Sequence, residues 1–373
     1  MRLAIAHDWL DRPVGGAERV ALEMAAMWPD APVYTLLWDR ALYGAAIDPG
    51  RVRTSWLQSL PEALRRRPRY LLPLIPTAVE QWDLSAYDAV LTSSCAFVKN
   101  IVTTPRTLHV CYCHSPMRFV WDYWPRYLDE QRVGPLRGAA VRVLASGMRV
   151  WDHSGASRVD VWLANSATTA RRLRKYYGVD SRVLHPGVDV ASLRPTDPRA
   201  KSDEWLCLAT LTPYKRIDVA IAAFNATRRR LVVAGDGPER GRLESLAGPT
   251  IRFTGHVGDA ERAALLSSAR GLVFPSEEDF GIAPVEAMGS GTPVVALAAG
   301  GLRETVVDGV TGVFFAEQTP AALNTAVERL EGLRGGLVLD DLVDRAAQFS
   351  VERFRRELRG AVEQAYAAHS AER

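Results

Sequence analysis

The sequence predicts an α/β protein made of two Rossmann-like domains facing across a cleft. Three observations carry that reading. Short apolar or β-branched runs alternate with amphipathic stretches along the whole chain, the pattern of parallel sheets covered by helices on both faces. The 373 residues suffice for about two domains of ordinary size, each with its own core. Between the halves, a polar stretch carrying Pro186, Pro195 and Pro198 interrupts helices and reads as a linker.

Taken in order, the strand candidates of the first half are Leu3 to Ala6, Val33 to Leu37, Ala89 to Thr92, Leu108 to Cys113 and Val161 to Ala164. Helical patterns run over Ala17 to Met27 and Ala167 to Tyr177. The second half repeats the alternation with strands at Leu206 to Ala209, Leu231 to Ala234, Ile251 to Thr254, Leu272 to Phe274, Val294 to Ala296 and Val313 to Phe315. The resulting division is a first domain over 1–190, a linker over 191–203, a second domain over 204–350 and a C-terminal helix over 351–373. That helix has apolar residues at 351, 354, 358, 361, 362 and 365, close to one face, and should dock on a domain.

Composition bounds the function. With 47% hydrophobic and 24% charged residues the chain is an ordinary folded protein, neither disordered nor fibrous. No apolar run is long enough to span a bilayer, and the opening MRLAIAHDWLD meets charge too soon for a secretory signal, so a cytoplasmic protein is expected. Cys95, Cys111, Cys113 and Cys207 lack paired CxxC spacing and read as reduced packing thiols rather than a metal site. The first 190 residues carry 24 Lys+Arg against 18 Asp+Glu, the remainder 22 against 25. A basic first half suits an anionic partner. Only Lys99, Lys175, Lys201 and Lys215 are lysine, which makes a specific task for a lysine more plausible than in a lysine-rich chain.

The segment Phe274 to Ala296, FPSEEDFGIAPVEAMGSGTPVVA, joins a strand end to a loop, a helix and another strand. Ligands of open parallel sheets bind at such strand ends. The helix is predicted to start near Ile282 with Pro284 in its first turn, where a missing N–H costs little. Its free N–H groups suit a diphosphate. Glu278 in the loop and Glu286 in the helix can accept from sugar hydroxyls, and Gly281 permits close backbone approach; an acidic loop with a solvated Glu286 is the competing account. Lys215 follows a strand and precedes the helical pattern Val219 to Phe224, so its ammonium can neutralise charge on a departing diphosphate. Arg216 beside it can make a bidentate phosphate contact. His114 opens a loop at the end of the strand Leu108 to Cys113 and can exchange a hydrogen bond with a hexose hydroxyl. His7 is a weaker candidate of the same kind. Gly15 and Gly16, ahead of a helix, either bring amides to phosphate or make a plain turn.

These segments resemble the retaining glycosyltransferases of family 4, which have the GT-B fold. Glu278 and Glu286, with seven residues between them, look like the family's E-x7-E signature, together with Phe280-Gly281 and Glu286-Ala287-Met288. The likeness continues in ATLTPYKRI (Ala209 to Ile217), GDGP from Gly235, FTG from Phe253, GGLRE from Gly300 and DGVTG from Asp308. HDWL, GGAER, CHSPMRFVWDYW and RVDVWLANS resemble mannosyltransferase-like enzymes of bacterial surface-polysaccharide assembly. The resemblance implies transfer of a hexose from a nucleotide sugar, GDP-mannose before UDP-linked hexoses, to a saccharide or lipid-linked saccharide. It implies that the leaving phosphate takes the acceptor's proton, that His114, Lys215 and Glu278 serve catalysis, and that Gly15, Gly16, Arg216, Glu278, Phe280, Gly281, Ile282 and Glu286 hold the donor. No Asp-x-Asp triplet occurs, so neither a metal nor another cofactor is expected. One departure stands out: the family usually has arginine five residues before the lysine, where this chain has Thr210.

Leu60 to Pro76 sets four arginines beside Tyr70, Leu71, Leu72, Leu74 and Ile75, which suits anionic lipid or, alternatively, a core helix with a solvated basic end. A dinucleotide oxidoreductase is disfavoured because Gly241 falls one place late for GxGxxG after Gly235 and Gly237. No P-loop and no nucleic-acid module is present. A catalytically silent sugar-nucleotide-binding protein of the same fold is the runner-up.

Overall fold

The computed structural model describes residues 1–122 and 135–371. Tyr123 and Trp124, the end of the motif CHSPMRFVWDYW, lie outside the described residues, as does the end of the C-terminal helix segment at 372–373. The chain divides into two units, one of Met1–His185 with Arg355–Arg373, the other of Pro186–Phe354.

The first unit holds seven parallel strands: β1 (Leu3–Leu10), β2 (Val33–Trp38), β3 (Val52–Thr54), β4 (Ala89–Ser94), β5 (Leu108–Cys113), β6 (Val161–Ala164) and β7 (Arg182–Val183). Their order is 3-2-1-4-5-6-7. The strands β1, β4 and β5 are buried at every position, as expected of strands covered on both faces. Cys111 and Cys113 lie on β5 and are free, buried thiols. The second unit has six parallel strands: β8 (Glu204–Leu208), β9 (Arg230–Ala234), β10 (Ile251–Gly255), β11 (Leu272–Phe274), β12 (Val294–Leu297) and β13 (Gly312–Phe315), in the order 10-9-8-11-12-13. Apolar clusters pack on both faces of this sheet, one around Trp205, Phe224 and Val327, the other around Val285, Met288 and Leu302.

In both sheets the strand order reverses beside the first strand, between β1 and β4 and between β8 and β11. The carboxyl ends there are where doubly wound sheets bind ligands. All eleven expected strands are present. The short β3 and β7 carry too few apolar residues to stand out in the sequence; neither has a buried position.

Two boundaries differ from the sequence reading. The division falls between His185 and Pro186, not at 190, and residues 191–203 pack on the second unit rather than forming a loose linker. The reason is Lys201, whose buried ammonium donates to the carbonyls of Ser267 and Ser290 at 2.7 Å each, while the Thr196 N–H donates to Ser290 O at 3.2 Å. The last helix, Val351–Ala371, is not a separate piece. Its residues from 355 onward belong to the first unit, where Arg355 pairs with Glu23 at 2.6 Å and Arg359 donates to Met27 O at 3.1 Å.

Candidate active site

In the second unit, β8 runs into the loop Ala209 to Thr212 and a 3-10 turn, Pro213–Lys215, whose proline presets its φ. Arg216 then adopts a left-handed backbone, φ 52°, and helix Ile217–Thr227 follows. A non-glycine residue in that region costs about 1–2 kcal/mol. The turn aims Lys215 at the loop after β11, where its Nζ donates to Glu278 Oε1 at 2.7 Å. Ser276 Oγ donates to the same oxygen at 3.2 Å. Both partners reach solvent, with 13% of the Lys215 side chain and 21% of the Glu278 side chain exposed. Burial by itself would lower the Lys215 pKa, but the Glu278 carboxylate, with Tyr214 beside it, outweighs that and raises it above the ordinary lysine value. The ammonium stays charged at neutral pH.

The shared glycines hold these two loops in place. A Cβ on Gly235, where φ is +131°, would sit 1.9 Å from Ala209 O, and one on Gly237 would sit 2.5 Å from Leu211 O. GDGP therefore lets the lysine loop lie directly on its neighbour. Gly301 N donates to Glu278 O at 2.8 Å, and a Cβ on Gly300, φ +62°, would sit 2.1 Å from that same carbonyl. GGLRE thus supports the glutamate loop from behind.

Gly281, φ +92°, turns the chain into helix Ile282–Gly289. Ile282 and Ala283 lie at its start, where backbone N–H groups have no intrahelical partner. The remaining predicted residues fall differently. Phe280 is buried, its ring edge-on to Phe349 at 5.4 Å, so it anchors the loop in the core. Glu286 is neither solvated nor unpaired: it is buried and meets Arg262 Nη1 at 2.9 Å, because a carboxylate on the inner helix face needs a cation. Arg216 Nε reaches Asp218 at 3.3 Å and its Nη1 reaches Gln318 at 3.4 Å, while Thr210 is exposed.

In the first unit, His114 follows β5 directly. Its Nε2 lies 2.8 Å from Ser93 Oγ, and that hydroxyl lies 3.1 Å from His7 Nδ1. All three side chains are buried. The register explains the contact, since His7 on β1 is directly opposite Ser93 on β4. Burial, then the neighbouring His7, pushes the His114 pKa down to about 3, so it is neutral at physiological pH. Next to His7, buried Asp8 accepts the N–H groups of Cys95, Ala96, Phe97 and Val98 at 2.5–2.9 Å, a carboxylate closing a backbone nest. Gly15 caps helix Gly16–Met27, but its N–H donates to Glu18 Oε2 at 3.1 Å. The amide expected for phosphate is already occupied.

The structure thus pairs Lys215 with Glu278 in the second unit, on the loop that leads to Gly281 and Ile282, and joins His7 and His114 through Ser93 in the first. Sequence reasoning missed Asp8, Ser93, Ser276 and Arg262. Asp8 stands in the quoted HDWL and Ser276 in the quoted FPSEEDFG, two residues before its partner Glu278, whereas Ser93 and Arg262 carry no local signal because their partners are distant in sequence. Among the described residues, no group of three or more His, Cys, Asp or Glu is arranged to hold a metal.

Two doubly wound parallel-sheet units of this kind constitute the GT-B fold of glycosyltransferases. Residues 14–192 match the family model "Glycosyltransferase Family 4" and residues 203–331 match "Glycosyl transferases group 1". Both halves of the chain thus match glycosyltransferase family models, the first half that of family 4. The D-inositol 3-phosphate glycosyltransferase of Mycobacterium tuberculosis is 31% identical over an alignment of 254 residues that covers 60% of this chain and 52% of the relative. The chain therefore spans about half the length of the curated relatives it matches. Among solved structures, sucrose-phosphate synthase of Thermosynechococcus elongatus superposes with a TM-score of 0.76 at 21% identity over 98% of this chain and 100% of that one. Anabaena HepE in complex with UDP-glucose gives 0.68 at 19% identity over 97% and 99%.

Proposed function

We propose that the protein is a retaining, metal-independent glycosyltransferase that moves a hexose from a nucleotide sugar to a saccharide or lipid-linked saccharide. The observation that carries the reading is the Lys215–Glu278 pair, partly exposed at the switch point of the second sheet beside the start of helix Ile282–Gly289. An ammonium and helix N–H groups at the neighbouring ends of β8 and β11 suit a diphosphate. Lys215 neutralises charge on the leaving diphosphate, and Glu278 accepts from the donor sugar. Glu286, paired with Arg262, is assigned to the ribose on the resemblance alone. His114 makes the hydrogen bond to the hexose, and the departing phosphate takes the acceptor's proton, so no protein base is required. GDP-mannose is the first donor to test, on the resemblance of the first half. UDP-glucose follows, because HepE binds it, and inositol 3-phosphate joins the acceptors because the mycobacterial relative is named for it.

The test is product formation from a panel of nucleotide sugars and acceptors. Transfer that Lys215→Ala abolishes supports the reading, and no transfer with any donor favours the runner-up, a catalytically silent sugar-nucleotide-binding protein. Exposed Thr210 in place of the family arginine is the observation that favours the latter.

A peripheral place on an anionic membrane, on the cytoplasmic side, belongs to the same proposal. No described helix is long and apolar enough to cross a membrane. In the segment 60–76, Leu71 and Ile75 are core residues, because the short helices bend them inward, whereas Leu64, Tyr70 and Leu74 are exposed alongside Arg66 and Arg67. Basic and apolar side chains displayed together suit an anionic lipid surface.

A further inference from the structure

The hydroxyl of Ser93 lies between two imidazoles, and the hydrogen-bond geometry determines which way each proton points. His7 Nδ1 is 2.8 Å from the carbonyl oxygen of Ser93. A carbonyl can only accept, so His7 Nδ1 carries the proton. The Ser93 hydroxyl has no hydrogen-bond partners among the described residues other than the two imidazoles. His7 Nδ1, being protonated, cannot accept from it, so the hydroxyl hydrogen goes to His114 Nε2 at 2.8 Å. An Nε2 that accepts leaves the proton of neutral His114 on Nδ1.

We propose that Ser93 is a positioning residue, which together with His7 locks His114 in the tautomer protonated on Nδ1, so that His114 presents an N–H donor to a ligand oxygen. The relay leaves a lone pair on His7 Nε2 and an N–H on His114 Nδ1, and neither has a hydrogen-bond partner among the described residues. All three side chains are at least nine-tenths buried, with exposures of 1%, 0% and 8% for His7, Ser93 and His114, so water competes little with this order. The edge-on rings, 6.4 Å apart at 85°, keep both imidazoles in place. A nitrogen that can only donate, as His114 Nδ1 then is, selects an acceptor: a hexose hydroxyl lone pair, a carbonyl or a phosphate oxygen. This rests on the functional reading only in the ligand that His114 serves.

Long-range proton–nitrogen NMR of the ligand-free, full-length protein tests it without any activity, with the His114 signals assigned by their loss in His114→Gln. The expected result is a protonated Nδ1 and a bare Nε2 at His114, a reversal to Nε2–H in Ser93→Ala, and restoration in Ser93→Thr, which keeps the hydroxyl. A protonated Nε2 in the unmodified protein overturns the inference, as does an unchanged tautomer in Ser93→Ala. Once a donor is identified, Ser93→Ala should lower kcat/KM about tenfold, the effect of one misdirected hydrogen bond, and Ser93→Thr should recover it. Absence of any transfer in the unmodified protein would remove the enzyme reading while leaving the tautomer result intact.

Discussion

At the carboxyl end of its sheet the second unit keeps a charged pair in reach of solvent, whereas the first unit neutralises almost every charge it brings there. Lys215 and Glu278 hold one another but stay partly exposed. In the first unit, four amides cover Asp8, the imidazoles of His7 and His114 are buried, and Lys99 meets Asp152 with both side chains fully buried. Asp152 also accepts from Trp121 Nε1 and Tyr177 OH at 2.7 Å each. A pair that must exchange partners with a ligand has to remain near water, and a pair that only fixes geometry does not. Two sheets of the same winding therefore make different uses of the same residue types.

The sharpest way to break this contrast is to remove one member of the fully buried pair. Asp152→Ala leaves the Lys99 ammonium without its counter-charge and should cost about 3–5 kcal/mol, measured by denaturant unfolding, while Lys99→Met with Asp152→Leu should recover much of the loss. Lys215→Ala should do the reverse. We expect unchanged unfolding but transfer reduced by about 10²–10³-fold, on the order of losing one transition-state charge contact; near-normal turnover would sink the proposed role. Acid should also separate the units. Burial lowers the His109 pKa to about 4 and, with His7, lowers that of His114 to about 3, so the unfolded chain binds more protons than the folded one below the ordinary histidine range. Stability is then full at neutral pH and falls, by on the order of 3 kcal/mol for each of the two histidines, as pH drops from about 6.5 toward 4. The loss should appear in the first unit, with amide exchange there rising before exchange in the second. Gly301→Ala, whose Cβ would sit 2.2 Å from Asp279 O, should cost about 1–3 kcal/mol and, by displacing the Glu278 loop, raise the donor KM. The smallest effect belongs to the surface: Arg67→Gln should weaken sedimentation with anionic vesicles at about 50 mM salt by about 1 kcal/mol, and an unmodified protein that fails to sediment would end the membrane proposal.

The scarcity of lysine was a usable signal, because three of the four are held by specific partners. Lys99 meets Asp152, Lys201 caps two carbonyls and Lys215 meets Glu278; only Lys175 lies exposed on its helix. The strand and helix succession was legible because periodicity is local, and Gly235, Gly281 and Gly300 were legible as motif glycines because left-handed backbone favours that residue. The segment 60–76 was legible only in part, since which of its apolar residues turn inward depends on how its short helices pack.

By itself the sequence determined the alternation that winds each sheet, the strand ends that carry Lys215, Glu278 and His114, and the glycines that let loops cross closely, all properties of short windows. Only the tertiary structure decided that Glu286 is held by Arg262, that Phe280 is core, that the Gly15 amide is taken by Glu18, and that Ser93 joins His7 to His114. Each of those outcomes depends on which side chains distant in the chain become neighbours once strands pair and helices pack. A buried polar atom must then find its partner wherever packing puts one.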